Sequence, residues 1–274
     1  MTLPSNQTTV RAFGLAASMP EPVIERAAEA ARQTNYHSFW LNNPPQASPL
    51  PILGRVAPRT PGLWLGVGVI PLSHLSPSEI VMQAQQSRLP LDRFYLGIGS
   101  GTLPGGIHEV AASVRAIKES LECFIVIAAL GPHMCKLAGE LGDGVLLNWL
   151  TPEYAVRSSK LVRDAARNAG RPAPRIIAYV RAALGDEAFV RLREEAQRYE
   201  SYPKYANHFA RMGASALDAS IAAQNRSDLQ QALAAWDGVV DEVVIRGITA
   251  HDTDDEVLRL VLAAAPSDGS TPAS

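Results

Sequence analysis

Residues 124–149 read F-I-V-I-A-A-L-G-P-H-M-C-K-L-A-G-E-L-G-D-G-V-L-L-N-W. The first seven residues are apolar without alternation, which suits a strand covered on both faces, as in a parallel sheet. A tight turn then opens a helix with Pro132 in its first position, where the missing N–H would be unpaired anyway. A second apolar strand, G-V-L-L-N-W, completes a strand–helix–strand unit. The amides of His133 and Met134 at the helix start suit a bound anion such as phosphate. Gly131 and Pro132 equally make a good strand-to-helix turn in their own right.

The same alternation runs outward in both directions. Strands are predicted at Arg11–Ala17, His37–Asn43, Leu63–Ile70 and Arg93–Gly99, with helices at Pro22–Thr34, Pro77–Arg88 (Ser76 as N-cap) and Glu109–Leu121. Downstream, a helix over Pro152–Ala169 is capped by Thr151 and stopped at Gly170. A seventh strand is predicted at Arg175–Leu184 and a long helical region over Glu187–Ala223. A helix near Asp228–Trp236, an eighth strand at Val240–Arg246 and a helix near Asp254–Ala264 follow. Eight strand–helix units predict an α/β fold, a single closed (β/α)8 TIM barrel over residues 1–274, with 1–9 and 266–274 as flexible tails. An open doubly wound sheet, usually of fewer strands, is the alternative.

Composition agrees with that size class. The chain has 274 residues, 47% hydrophobic and 19% charged, enough to bury a large core. The longest uncharged apolar runs fall short of a membrane span, and no basic start with an apolar stretch marks a signal peptide, so a cytoplasmic location is expected. With 25 Lys+Arg against 27 Asp+Glu and no cationic block, nucleic acid is not an expected partner. Cys123 and Cys135 form no C-x-x-C pair and read as core thiols.

In a barrel, function sits at the C-terminal strand ends. Those ends are Ala16–Ala17, Asn42–Asn43, Gly68–Val69, Gly99–Ser100–Gly101, Leu130–Gly131, Asn148–Trp149, Arg181 and Arg246–Gly247. The set holds no carboxylate pair, no Ser-His-Asp arrangement and no metal cluster, which points to chemistry supplied by a cofactor. Gly99 and Gly101 do not open a dinucleotide fingerprint, because Thr102, Leu103 and Pro104 follow. Gly66 and Gly68 inside a strand mark a bulge or a close approach.

The segments L-G-V-G-V-I, R-F-Y-L-G-I-G-S-G, Ile127–Tyr154 and D-E-V-V-I-R resemble the bacterial luciferase-like monooxygenase superfamily. Within it they are most similar to the branch that uses the 8-hydroxy-5-deazaflavin coenzyme F420. The resemblance runs from Gly14 to about Leu262. It implies a barrel with the cofactor at its C-terminal face and hydride transfer at ring carbon C5. It further implies a non-prolyl cis peptide at Gly68–Val69 backing the ring. Gly99, Ser100 and Gly101 match the segment beside the ring, and Leu130, Gly131, Pro132, His133 and Met134 the segment near the phosphate. Asn42 matches a polar position near the ring, and Asn43 a position where some relatives place a catalytic histidine.

Two departures stand out. Sugar-phosphate-oxidising relatives carry a glutamate where Thr102 stands, and a hydroxyl is a poor general acid. The long insertion of most relatives after the fourth strand is reduced here to T-L-P-G-G.

Among the histidines, His37, His108 and His251 read as structural. His74 follows the third strand and, with Asn43, is the catalytic candidate. His208 and Tyr205 are candidates for a lid over the barrel mouth, with an ordinary buried helix histidine as the alternative for His208; Trp149 is a candidate for stacking on a ligand or for filling the barrel rim. Arg246 is the cationic candidate for the cofactor's acidic tail, with Arg181 second; pairing with Asp241 or Glu242 is the alternative. The expected function is hydride transfer between F420 and a small organic substrate. The alternatives are an FMN-dependent monooxygenase and a non-catalytic flavin-binding barrel. The resemblance also suggests a homodimer.

Overall fold

A computed structural model of the protein describes residues 9–45, 47–103 and 106–266. Strands β1 (Val10–Ala16), β2 (Ser38–Asn42), β3 (Trp64–Pro71), β4 (Phe94–Gly99), β5 (Phe124–Ala129), β6 (Gly144–Asn148), β7 (Arg175–Leu184) and β9 (Glu242–Ile248) pair in parallel. Because β9 pairs with both β7 and β1, and β6 with β7, the sheet closes into an eight-stranded barrel. Helices α1 (Glu21–Gln33), α3 (Pro77–Gln86), α4 (Gly106–Ser120), α5 (Pro132–Leu141), α6 (Pro152–Asn168), α9 (Arg226–Ala234) and α10 (Asp254–Ala264) surround it. The fold is the (β/α)8 TIM barrel that the alternating segments predict. No helix among the described residues is long and apolar enough to cross a membrane.

Local chemistry explains most boundaries. Ser76 and Glu79 form a reciprocal capping box on α3, and Thr151 Oγ1 accepts from the Tyr154 amide at the start of α6. The structure adds one helix and corrects two readings. The prolines of P-L-P-I-L-G-R-V do not prevent a helix, α2 (Pro49–Val56), because one of them occupies its first turn. The region Glu187–Ala223 is two helices and a strand: α7 (Asp186–Glu200), α8 (Pro203–Met212) and β8 (Ser220–Ala223). Pro203 starts α8 at its first position, and Gly213 ends it with φ 73°, a left-handed value that glycine adopts freely. Strand β8 extends the sheet beside Arg181–Leu184, beyond the point where β6 stops pairing.

The second correction concerns β9, which begins at Glu242 rather than Val240 and ends at Ile248 rather than Arg246. Val240 is buried, but its carbonyl accepts from the Thr9 hydroxyl (2.7 Å) outside the ladder. Arg246 is therefore not the last residue of its strand; it lies two residues inside it.

The barrel is filled from within. Ala12, Trp40, Tyr95, Val126, Leu146, Ile177, Tyr179 and Val244 form the inner cluster, with the larger apolar core between strands and helices outside it. Trp40 and Tyr95 stack with centroids 5.1 Å apart, and Trp64 stacks on Tyr95 at 4.7 Å. Gly66 makes room for this arrangement, since a Cβ there would lie 2.5 Å from Trp40 Cδ2. Gly97 has a similar reason, because its Cβ would overlap the Val67 carbonyl oxygen where the β3–β4 register shifts. Below the aromatics, the fully buried Glu242 carboxylate accepts from Ser38 Oγ, Arg175 Nε (2.9 Å) and Trp40 Nε1 (3.2 Å). That end of the barrel is a paired plug, as a buried charge requires.

Candidate active site

The other end differs in composition. Alternation along β1 to β5 turns Gly14, Ala16, Asn42, Gly68, Gly99 and Ala128 toward the barrel axis, and apart from Asn42 all are glycine or alanine. Ala16, Asn42, Gly68, Val69, Ala128 and Asn148 are partly exposed, while the strand interiors below them are buried. Small residues at successive strand ends thus line a shallow, partly exposed trough at the C-terminal mouth, with Tyr179, Leu146 and Val69 packed close to Gly14, Gly68 and Gly99. The Gly68–Val69 peptide in its floor is cis, at the position the sequence resemblance implied.

The β7 and β9 side is polar. Tyr179, Arg181 and Arg246 face inward and are buried. Arg181 Nε donates to Glu195 Oε1 of α7 at 3.1 Å, its Nη1 donates to Asn148 Oδ1, and its guanidinium carbon lies 4.0 Å from the centre of the Trp149 ring. Burial pushes the Glu195 carboxyl up, but Arg246 and then Arg181 outweigh it and hold the group below the ordinary carboxylate range. Trp149 sits at φ 54°, a left-handed conformation uncommon for a bulky residue; such outliers cost about 1–3 kcal/mol and cluster at functional sites.

Helix α8 roofs part of the mouth. Lys204 Nζ donates to the Gly101 carbonyl (2.7 Å), the His208 ring nitrogens lie 2.7 Å from the carbonyl oxygens of Leu130 and Trp149, and Arg211 Nη2 donates to Leu130 O (3.5 Å). Burial lowers the His208 pKa against the pull of the two carbonyls. Three side chains of one helix thereby bind the rims of β4, β5 and β6. Tyr199, Tyr205 and Phe209 pack around Trp149 beneath them.

Five buried side-chain polar atoms among the described residues have no hydrogen-bond partner. Four of them are at this mouth: Asn42 Oδ1, Trp149 Nε1, Tyr179 Oη and Arg246 Nε. Buried polar groups are ordinarily paired, so a cluster of unpaired ones marks a place where a ligand supplies the partners. Arg246 makes one hydrogen bond within the protein, from Nη1 to the Gly247 carbonyl.

The sequence-predicted site residues divide into three groups. Asn42, Gly68, Val69 and Gly99 line the trough, and Arg246 lies buried beside it. Ser100, Gly101, Leu130 and Gly131 form the rim under α8, where the Arg211 guanidinium approaches Gly131. Pro132 and His133 are exposed on the first turn of α5, and the Met134 side chain packs against the outer core. Asn43 and His74 share a separate cleft of about 150 Å³ bounded by α2 and α3, below the ~300–1,000 Å³ of typical ligand pockets. The Asn43 amide, with its nitrogen turned to the loop, donates to Ala47 O (2.6 Å) and Pro44 O (3.3 Å). Thr102 is exposed, its amide donating to Ser73 Oγ (3.4 Å). Sequence reasoning missed Tyr179, Glu195, Lys204 and Arg211.

The sequence profile described as luciferase-like monooxygenase matches residues 108–268, more than half of the chain. The protein belongs to the luciferase-like monooxygenase family. No curated protein matches the chain in sequence. Among solved structures, this family member is similar to an F420-dependent secondary alcohol dehydrogenase (TM-score 0.73, 13% identity, 93% of this chain and 99% of that one). It is also similar to the coenzyme F420-dependent tetrahydromethanopterin reductase of Methanopyrus kandleri (0.66, 15%, 94% and 98%). A third is the EDTA monooxygenase of Chelativorans sp. BNC1 (0.69, 14%, 94% and 95%). At such identities the likeness is one of fold.

Proposed function

We propose that the protein is an oxidoreductase that binds the deazaflavin coenzyme F420 in the trough and transfers hydride between it and a small organic substrate. The carrying observation is the trough itself: small residues at successive strand ends, with Ala16, Gly68 and Ala128 partly exposed, beside buried polar atoms that lack partners. A flat ring system needs such a bay, and a donor on the ring edge would satisfy Asn42 Oδ1. The residues therefore fit the group. When bound, the coenzyme supplies hydride at its C5 carbon.

The chain's own residues position and shield. Gly68, Val69 and Gly99 would back the ring, and Asn42 would accept from its edge. Ser100 and Gly101 would border the side chain, while the α5 amides after Gly131 and Pro132, with the nearby Arg211, would hold a phosphate. Tyr179 is pushed up to about 12, chiefly by burial, so at neutral pH it keeps its proton and acts as a hydrogen-bond donor. The α8 roof would exclude water from the covered side. The sequence motifs support F420 over FMN, and FMN is the alternative occupant of the same trough.

The test is an equilibrium titration of the purified protein with F420 and, separately, with FMN, following ligand fluorescence. Micromolar binding of F420, with weaker binding of FMN, supports this reading. Preferential binding of FMN replaces it with a flavin monooxygenase, and binding of neither overturns it.

A further inference from the structure

The charges at the mouth do not balance. Among the described residues, two buried cations, Arg181 and Arg246, face the barrel axis there, and the carboxylate that meets them is Glu195. Glu195 is already bonded to Arg181 at 3.1 Å and approached by Arg198 at 3.8 Å. Among the described residues no carboxylate lies within ion-pair distance of Arg246, although that residue is only 8% exposed. The hydrogen-bond inventory leans the same way. Of the four unpartnered atoms, Arg246 Nε and Trp149 Nε1 can only donate, and Tyr179 Oη keeps a proton to give; only Asn42 Oδ1 is purely an acceptor. Arg181, Arg246 and Gly14 stand side by side in register on β7, β9 and β1, and the Tyr179 hydroxyl would lie 3.0 Å from a Cβ at Gly14. The donors therefore converge at one level of the barrel, next to the small-residue trough.

We infer that the substrate carries an anionic oxygen group, a carboxylate foremost, and that Arg246 with Tyr179 receives it. This rests on the oxidoreductase reading, because the group would have to be held beside a ring in the trough. An arginine offers a carboxylate two parallel donors, and the phenol adds a third from beneath. The coenzyme's own phosphate is the other source of an anionic oxygen. Its expected site at the start of α5 follows β5, which β6 and β7 separate from β9 in the barrel. Arg246 is thus a substrate-positioning group rather than a holder of the coenzyme's tail.

The probe is benzoate, with uncharged benzamide as its control, measured by calorimetry against the free protein and against the protein saturated with F420. The expected result is that benzoate binds and benzamide does not. Arg246→Met should weaken benzoate at least about tenfold, as expected when a charged hydrogen bond is lost. Tyr179→Phe, which keeps the ring and its packing, should weaken it by a smaller factor, and F420 affinity should change less than about twofold in either variant. Circular dichroism confirms folding, and Arg246→Lys, which keeps the charge, serves if the methionine variant fails to fold. The inference is overturned if benzoate and benzamide bind alike or not at all, or if Arg246→Met weakens F420 while benzoate is displaced by the coenzyme. Binding of benzoate through Arg246 with no binding of F420 would uphold the anion site and defeat the coenzyme reading; the reverse would do the opposite.

Discussion

Arg181 lies stacked on Trp149, its guanidinium carbon 4.0 Å from the ring centre, while its Nε is paired with Glu195 of helix α7. One buried side chain thus ties the end of β6, the interior of β7 and helix α7 together. Replacing it with methionine keeps much of the volume but removes the hydrogen-bonded partner of the largely buried Glu195 carboxylate. Arg181→Met should cost about 3–5 kcal/mol, the range for breaking a buried pair from one side, read as a lower urea midpoint with an unchanged slope.

The same pair sets an acid limit. Glu195 is held below its unfolded-state pKa, so the stability it contributes is present above the unfolded value and is lost as pH falls through the folded one. Thermal melts taken on the acid side should therefore show Glu195→Gln losing less stability than the parent as pH drops, although the variant is less stable at neutral pH. Parallel acid profiles for the two proteins would contradict this assignment.

At the closed end of the barrel, Gly66 faces the Trp40 indole without space for a methyl group. Gly66→Ala should destabilise the protein by about 1–3 kcal/mol through overpacking, checked by chemical denaturation. Binding at the opposite end should change little if the variant folds.

Coenzyme binding should depend on the trough and not on the side cleft. Asn42→Leu, which removes the unpartnered acceptor, should weaken F420 by roughly tenfold, the scale of one hydrogen bond left unmade. His74→Ala in the small cleft should leave F420 affinity within about twofold. Titrations of the two variants in parallel decide between the mouth and the cleft.

The barrel was legible because parallel strands buried on both faces write themselves as unbroken apolar runs, such as Phe124–Leu130. The roof was less so: the Ala-rich stretch before Ala223 has helix-forming composition, and β8 exists because β7 leaves an edge free at Arg181–Leu184. The small residues lining the trough were visible as strand-end glycines. The depth of Arg246 was misread because an arginine followed by Gly247 looks like a strand end, while Gly247 and Ile248 continue the ladder on β7. Tyr179 was hidden by the very uniformity that revealed its strand, since R-I-I-A-Y-V-R shows little alternation between its buried faces. Lys204, His208 and Arg211 act from a helix that meets the rim only through the folded chain, so no local pattern ties them to Gly101, Leu130 or Trp149.

The most direct measurement is a crystal structure of the protein with F420 bound. The account predicts the ring over Gly68–Val69, its edge at Asn42, and the phosphate at the start of α5 beside Arg211. Density for the coenzyme in the Asn43–His74 cleft, or its phosphate on Arg246 at the barrel axis, would contradict it.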